Sequence, residues 1–231
     1  MEKPILFNTE MVQAILQGRK TTTRRVMKPQ PECVYVHGER KNLVALDETA
    51  FRIMEKGGND RWINPPYQIG DILWVRETWR EQPIGKDKFE IQYKADFDEA
   101  ELACYGKRGG YAPAKWHPSI HMSRIAARIF LKVKNIRAER LKDITEDEAK
   151  AEGIPNDYPM NPVYCPKCKG EGLVGSLHPI SLGYMEIDCP DCGDVRVRFK
   201  NLWDSIYAKQ SYGWNTNPWV WVIEFQKEMN V

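Results

Sequence analysis

Residues 18–25 read GRKTTTRR, three threonines set among four cations. A threonine hydroxyl is a poor nucleophile at neutral pH and needs an adjacent base or a polarising cation. Lys20 stands three residues before Thr23 and is the candidate for that part. As a free amine, with its pKa lowered by desolvation and by the charges of Arg19, Arg24 and Arg25, it accepts a proton. As an ammonium it stabilises an oxyanion. In a flat strand, positions 20 and 23 point to opposite faces, so the spacing unites them only in a turn or a loop. The plainer reading is a solvated basic loop at the negative end of the preceding helix dipole.

Glu152 is the second candidate. It is the last helical residue before Gly153 in TEDEAKAEG, which puts a negative charge where a helix prefers a cation. Positions that break a local rule are often functional. A Glu152 with its pKa raised by the helix end and by burial would deliver a proton to a departing amine. The alternative is a solvated glutamate on a frayed helix end.

The cysteines carry a third chemistry. Cys165 and Cys168, then twenty intervening residues, then Cys189 and Cys192 form two C-x2-C knuckles. Four thiolates so spaced supply the tetrahedral sulfur cage that zinc favours, and a cage closed by four cysteines is structural, with no open position for catalysis. Zinc would order about 30 residues too poor in apolar side chains to fold alone. Free thiols or a redox pair are the competing reading. Cys33 and Cys104 stand apart as ordinary thiols, and Pro118 between His117 and His121 spoils their i, i+4 spacing as a helical metal face.

Helix and strand signals surround these residues. FNTEMVQAILQG offers Asn8 or Thr9 as a cap, Met11, Val12, Ile15 and Leu16 at helical spacing, and Gly18 as terminator. TEDEAKAEG is a helix with a capping box of Thr145 and Glu148, ended by Gly153. NLWDSIYAKQ places Leu202, Trp203, Ile206 and Tyr207 on one helical face. Strand alternation marks GDILWVRETW, FEIQYKAD, the long SRIAARIFLKVKNIRAERL with its basic face of Arg128, Lys132 and Lys134, and WVWVIEF with Trp219, Trp221, Ile223 and Phe225 on one side. Residues 30–66 read as an excursion with little regular structure. The sum is an α+β protein on a small, strongly bent sheet or barrel.

The 231 residues suffice for one domain with insertions. Lys+Arg 34 against Asp+Glu 32 leaves a formal charge of +2, so an anion site must come from local clustering. The start MEKPILFNTE has no apolar signal core and no run of about 18 apolar residues occurs, which reads as a soluble cytoplasmic protein without a membrane partner.

GRKTTTRR, GDILWVRETW, ITEDEAKAEG and NPWVWVIEF together resemble the ASCH domain, a branch of the PUA-like β-barrel superfamily, in its longer bacterial and phage versions. The resemblance covers roughly residues 1–154 and 199–231. It implies an ASCH/PUA-like domain of residues 1–160 and 196–231, interrupted by a zinc-ribbon-like insertion at 161–195. It also implies a cleft between barrel and helices that binds RNA or a modified nucleoside. A small bacterial branch hydrolyses the amide of N4-acetylcytidine with a threonine, a lysine and a glutamate. Its RKTITIR is similar to RKTTTRR here, which matches Lys20 to the lysine, Thr23 to the nucleophile, Arg25 to the following arginine, and Glu152 to the glutamate. Arg19, Arg24, Arg25, Arg76, Trp79 and Trp116 are then the expected substrate contacts. Two other functions stay open. One is a non-catalytic RNA reader, gripping phosphates with Lys20, Arg24, Arg25, Arg76, Arg128, Lys132 and Lys134 and stacking bases on Trp74, Trp79 or Trp116. The other is a ribonuclease using the same cleft.

Overall fold

The computed structural model describes residues 1–31, 33–36, 39–41, 43–46, 51–54, 60–86, 88–97, 114–154, 167, 173–177, 184–188 and 194–228. In chain order the elements are β1 (Glu2–Leu6), α1 (Thr9–Leu16), β2 (Thr22–Val26), β3 (Cys33–Val36), β4 (Glu39–Lys41), β5 (Leu43–Leu46), β6 (Phe51–Met54) and β7 (Asp60–Ile63). There follow β8 (Ile72–Arg76), β9 (Trp79–Gly85), β10 (Lys88–Tyr93), β11 (Phe130–Arg140) and α2 (Glu146–Ala151). Last come β12 (Leu173–Leu177), β13 (Tyr184–Asp188), α3 (Val195–Tyr207) and β14 (Trp219–Glu228). Among the described residues no helix is long and apolar enough to cross a membrane.

Two compact units share the chain, one built from Met1–Gly18, Tyr67–Lys134 and Phe225–Val231, the other from Arg19–Pro66 and Asn135–Glu224. In the first, β1 runs parallel to β8 with Ile5 opposite Val75, and β8 pairs antiparallel with the start of β11. A parallel pair needs a long crossover, and here the intervening chain carries α1 and then leaves for the other unit. Asn8 caps α1 by accepting from the Met11 N–H at 2.8 Å, and Gly18 ends it at φ 74°, a conformation that favours glycine. Val12 and Ile15 bury with Ile5, Leu73, Val75, Leu131 and Val133, whereas Lys132 and Lys134 face outward. The strand expected in FEIQYKAD forms as β10, hairpinned to β9, but Phe89 is exposed, so its apolar face is not a core face. The long strand begins at Phe130, later than its alternation suggests, because residues 124–126 form a 3-10 turn that leaves Ile125 exposed.

In the second unit β2 pairs antiparallel with β14, from Thr22 opposite Glu224 to Val26 opposite Val220. The latter part of β11 pairs with β5, and β11 neighbours β14. One face of these strands supplies Val220 and Val222 to a core completed by Leu141, Ile144, Ala149, Ile154, Phe199 and Trp203 from α2, α3 and their flanks. Residues 30–66 are not an irregular excursion: β4, β3, β6 and β7 form an antiparallel sheet in that order. Their strands are three or four residues long, too short for alternation to stand out. The molecule is thus mixed α+β. Its sheets are open among the described residues, with strand orders that do not return on themselves, so these pairings do not close a barrel.

The helix that bears Glu152 is fixed by its first turn. Thr145 Oγ1 accepts from the Glu148 N–H at 3.3 Å while Glu148 Oε2 accepts from the Thr145 N–H at 3.0 Å. This capping box satisfies donors that a six-residue helix would otherwise leave open. Thr145→Ala is expected to cost about 1 kcal/mol, read as a lower urea midpoint at unchanged slope.

Candidate functional site

Lys20 and Glu152 meet in the second unit as an isolated antiparallel bridge just ahead of β2. The Thr21 N–H donates to the Ala151 carbonyl at 2.9 Å, which ties this strand entry to the end of α2. Lys20 Nζ donates to Glu152 Oε2 and to the Glu152 carbonyl, both at 2.8 Å. Arg19 Nη1 donates to the Gly153 carbonyl at 2.5 Å. The rule that Glu152 breaks in sequence is therefore repaired in space: two consecutive cations supply the positive charge and the donors that a helix C-terminus lacks.

Arg24 completes the clamp. Its Nη1 donates to Glu152 Oε1 at 3.1 Å, its Nε and Nη2 to Glu139 Oε1 at 3.1 and 2.6 Å, and its Nη2 to Glu148 Oε2 at 3.1 Å. The guanidinium lies 5.8 Å from the Phe199 ring centre. Arg137 extends the network: its Nε donates to Glu139 Oε2 at 3.2 Å, and its other nitrogens reach Glu148 and Glu224. Lys20, Arg24, Glu139 and Glu152 are all buried. Buried charges persist only when paired and hydrogen-bonded, and each of these is.

The electrostatics follow. Burial alone would raise the Glu152 pKa, but the Lys20 and Arg24 charges and their hydrogen bonds overcome it and hold the carboxyl below the ordinary value. This reverses the expected direction, because a carboxylate gripped by two cations is a poor proton donor. Lys20 does shift as expected. Burial pushes its ammonium below the ordinary lysine value against the pull of Glu152, and the Arg25 and Arg24 charges push the same way. Arg24, by contrast, is held above its ordinary value, since Glu152 and Glu139 outweigh its burial.

Thr23 occupies a strand, not the wrapped loop that the spacing called for. Along β2, Thr22 and Arg24 point to one side, Thr23 and Arg25 to the other. Thr23 is fully buried, and its Oγ1 accepts from Arg25 Nη1 at 2.6 Å. The same nitrogen donates to the Arg24 carbonyl at 3.0 Å. Lys20 and Glu152 thus touch directly, whereas the Thr23 hydroxyl is bound by Arg25 on the other side of β2 from the Arg24 side chain that grips Glu152.

Arg76, Trp79 and Trp116 belong to the first unit and have neighbours of their own. Arg76 Nη2 donates to the Ile120 carbonyl, and its guanidinium lies 5.5 Å from the Trp74 ring centre. Trp79 packs on His117 at 5.2 Å between centres and shares a backbone bridge with it. The guanidinium of buried Arg80 lies 4.2 Å from the centre of Trp116, with Phe97 at the ring's edge. A base stacking on Trp116 would have to use the other side of the indole.

Sequence reasoning missed Glu139, Arg137 and Glu224. The signal was present in RAERL, where residues 137 and 139 share a strand side with opposite charges. Glu148 was found only as a cap, and it serves Arg24 as well. Cys165, Cys168, Cys189 and Cys192 lie outside the described residues. Among the described residues no cluster of His, Cys, Asp and Glu is arranged to hold a metal. Neither a family model, nor a curated protein, nor a solved structure matches this chain.

Removing the Glu152 charge leaves Lys20 buried beside a neutral partner. Glu152→Gln is expected to destabilise the protein by about 3–5 kcal/mol, measured by denaturant unfolding at neutral pH. In the wild type, a carboxyl with its folded pKa below the ordinary 4.5 binds fewer protons than in the unfolded chain. It stabilises above that value, and the contribution is lost as pH falls through the folded pKa. The acid limb of stability against pH should accordingly be shallower in the Gln variant.

Proposed function

We propose that the second unit is the working part of an ASCH-type, PUA-like protein that binds an N4-acylated cytidine-type nucleoside and hydrolyses its exocyclic amide. The observation that carries this reading is the buried Lys20–Glu152 pair at 2.8 Å, with Lys20 depressed below its ordinary pKa. A desolvated lysine has a larger fraction of free amine, which is the form that can act as a base. In the resting protein Thr23 Oγ1 is held by Arg25 and Lys20 by Glu152; in the proposed reaction substrate binding draws them together, Thr23 Oγ attacks the acyl carbonyl and its proton passes to the Lys20 amine. The C–N bond then breaks, and Lys20 returns the proton to the departing exocyclic nitrogen. Water cleaves the threonyl ester, releasing the carboxylic acid and restoring the hydroxyl. Glu152 remains an anion throughout and orients the lysine, a part that suits its lowered pKa better than proton delivery. Arg25, already on the Thr23 hydroxyl at 2.6 Å, is the cation nearest the nascent oxyanion.

A second reading, a non-catalytic RNA reader, is favoured by exposed Lys132 and Lys134, which project from one side of β11 in the first unit. Salt separates the two. Binding through several phosphate contacts weakens steeply with salt, whereas a neutral nucleoside is held almost independently of it.

The cysteines belong to the same proposal, as a structural zinc site of Cys165, Cys168, Cys189 and Cys192. Its support is their spacing together with the antiparallel pairing of β12 and β13 between the two knuckles, which sets Leu173 opposite Asp188.

Incubation with N4-acetylcytidine, analysed by mass spectrometry, should yield cytidine and acetate. Thr23→Ala should lower turnover about a thousand-fold or more; undiminished turnover in that variant rules out Thr23 as nucleophile, and unchanged masses with steep salt-dependent RNA binding support the reader. Elemental analysis should find one zinc per chain, absent from a Cys165→Ser/Cys168→Ser protein.

A further inference from the structure

The β9–β10 hairpin of the first unit has an edge that its own sheet does not use. Among the described residues β10 has no neighbour besides β9. A two-stranded ribbon is marginal in water, and an unpaired edge is a template for another strand. Which backbone groups face that edge follows from the ladder. The Lys94 N–H donates to the Thr78 carbonyl at 2.9 Å, and Trp79, opposite Tyr93, turns its N–H and carbonyl away from β10 to His117. Alternation along the antiparallel pair then points the backbone groups of Gln92 and Glu90 at β9 and those of Ile91 and Phe89 away from it. The side chains leave the edge open: Phe89 and Ile91, on one face of β10, are 64% and 36% exposed, and Lys88 and Glu90, on the other, are exposed too. Among the described residues Glu90 accepts a hydrogen bond from Gln92 Nε2 at 3.3 Å, and Lys88 makes no ion pair.

We propose that β10 pairs antiparallel with β10 of a second copy of this chain, about a two-fold axis through Phe89. A two-fold contact is self-complementary, and strand addition supplies main-chain hydrogen bonds along the edge. Residues whose backbone faces the edge must form the hydrogen-bonded pairs, which leaves three registers centred between Phe89 and Ile91. Two of them carry a penalty. Phe89 opposite Ile91 sets Glu90 against Glu90 on the axis, and Ile91 opposite Ile91 sets Lys88 against Lys94. The third, Phe89 opposite Phe89, sets Lys88 of each copy against Glu90 of the other at the closely spaced, non-hydrogen-bonded positions, where opposite charges attract most. Charge thus selects the register, and the same register brings the two exposed Phe89 rings side by side on one face of a four-stranded sheet, where an aromatic pair adds to the apolar area removed from water.

Sedimentation equilibrium of the full chain tests this, and should show a monomer–dimer equilibrium with a Kd in the micromolar range. Phe89→Asp should abolish the dimer, because it sets two carboxylates against each other on the axis. Lys88→Glu and Glu90→Lys, each alone, turn two attractive pairs into repulsive ones and should raise Kd about ten-fold or more. Combined in one chain, the two changes exchange the charges and should return Kd to within about three-fold of the wild type. All three side chains are exposed, so the melting curve of the dilute monomer should not move in any variant. A wild type that is still monomeric at about 100 µM overturns the proposal and leaves the edge to a strand of a different protein. A dimer that survives Phe89→Asp places the contact on another face and overturns it equally. A double variant as weak as the single ones overturns the register, and with it the axis through Phe89.

Discussion

The Glu152 carboxylate, closed on one oxygen by Lys20 and on the other by Arg24, is the interaction on which the second unit turns. It joins three pieces of chain that sequence keeps far apart: the entry to β2, the end of α2, and, through Arg24, the Glu139 position of β11. None of these charges tolerates burial alone. An ammonium or carboxylate stripped of water costs several kcal/mol even after relaxation, and only a partner with good geometry recovers it. Each member of the cluster is therefore required by the others, since withdrawing one strands another charge in a buried site.

The same constraint explains the local choices around it. A six-residue helix is far below the length at which helices hold themselves, so α2 depends on its ends. Its first turn is closed by the Thr145–Glu148 box and its last carbonyls by Lys20 and Arg19. Glu148 serves both ends of that logic, accepting from Thr145 and from Arg24. Apolar packing of Ala149, Ile144 and Ile154 against Val220 and Val222 fixes which side of the helix faces the sheet. Non-directional packing sets the layer spacing, and directional ion pairs set the register within it.

Much of this was legible in the chain. The helix caps at Asn8 and Thr145 and the stops at Gly18 and Gly153 follow from local chemistry that acts within a few positions, whereas β14, read with one apolar side, is buried on both, Val220 and Val222 included. Glu152 was legible on its own as an anion at a helix end, and Lys20 as a cation within a threonine run, but only the family resemblance set them together. What escaped was long-range. Arg24 sits 115 residues from Glu139, and nothing within either neighbourhood announces the other. The sheet of β3, β4, β6 and β7 escaped for a different reason: strands of three or four residues hold too few alternations to distinguish them from loops, and they exist through their pairing. Glu152 was misjudged in its protonation because burial was weighed without the two cations that burial brings with it.

Under the proposed hydrolase reading, geometry also decides how such a cluster would act. Two groups whose pKa values are pushed apart divide into acid and base, but here Lys20 and Glu152 are both pushed down, the lysine by burial and the carboxyl by its cations. A pair biased this way disfavours the proton on both groups, so neither is a strong proton store and a transferred proton is held only briefly. It suits a reaction in which a single amine shuttles one proton from a hydroxyl to a leaving nitrogen, and it does not suit a two-carboxyl acid–base device. Arg24 is what enforces the distinction: its charge helps hold the Glu152 carboxyl below its ordinary pKa, which leaves proton exchange in the proposed reaction to the lysine.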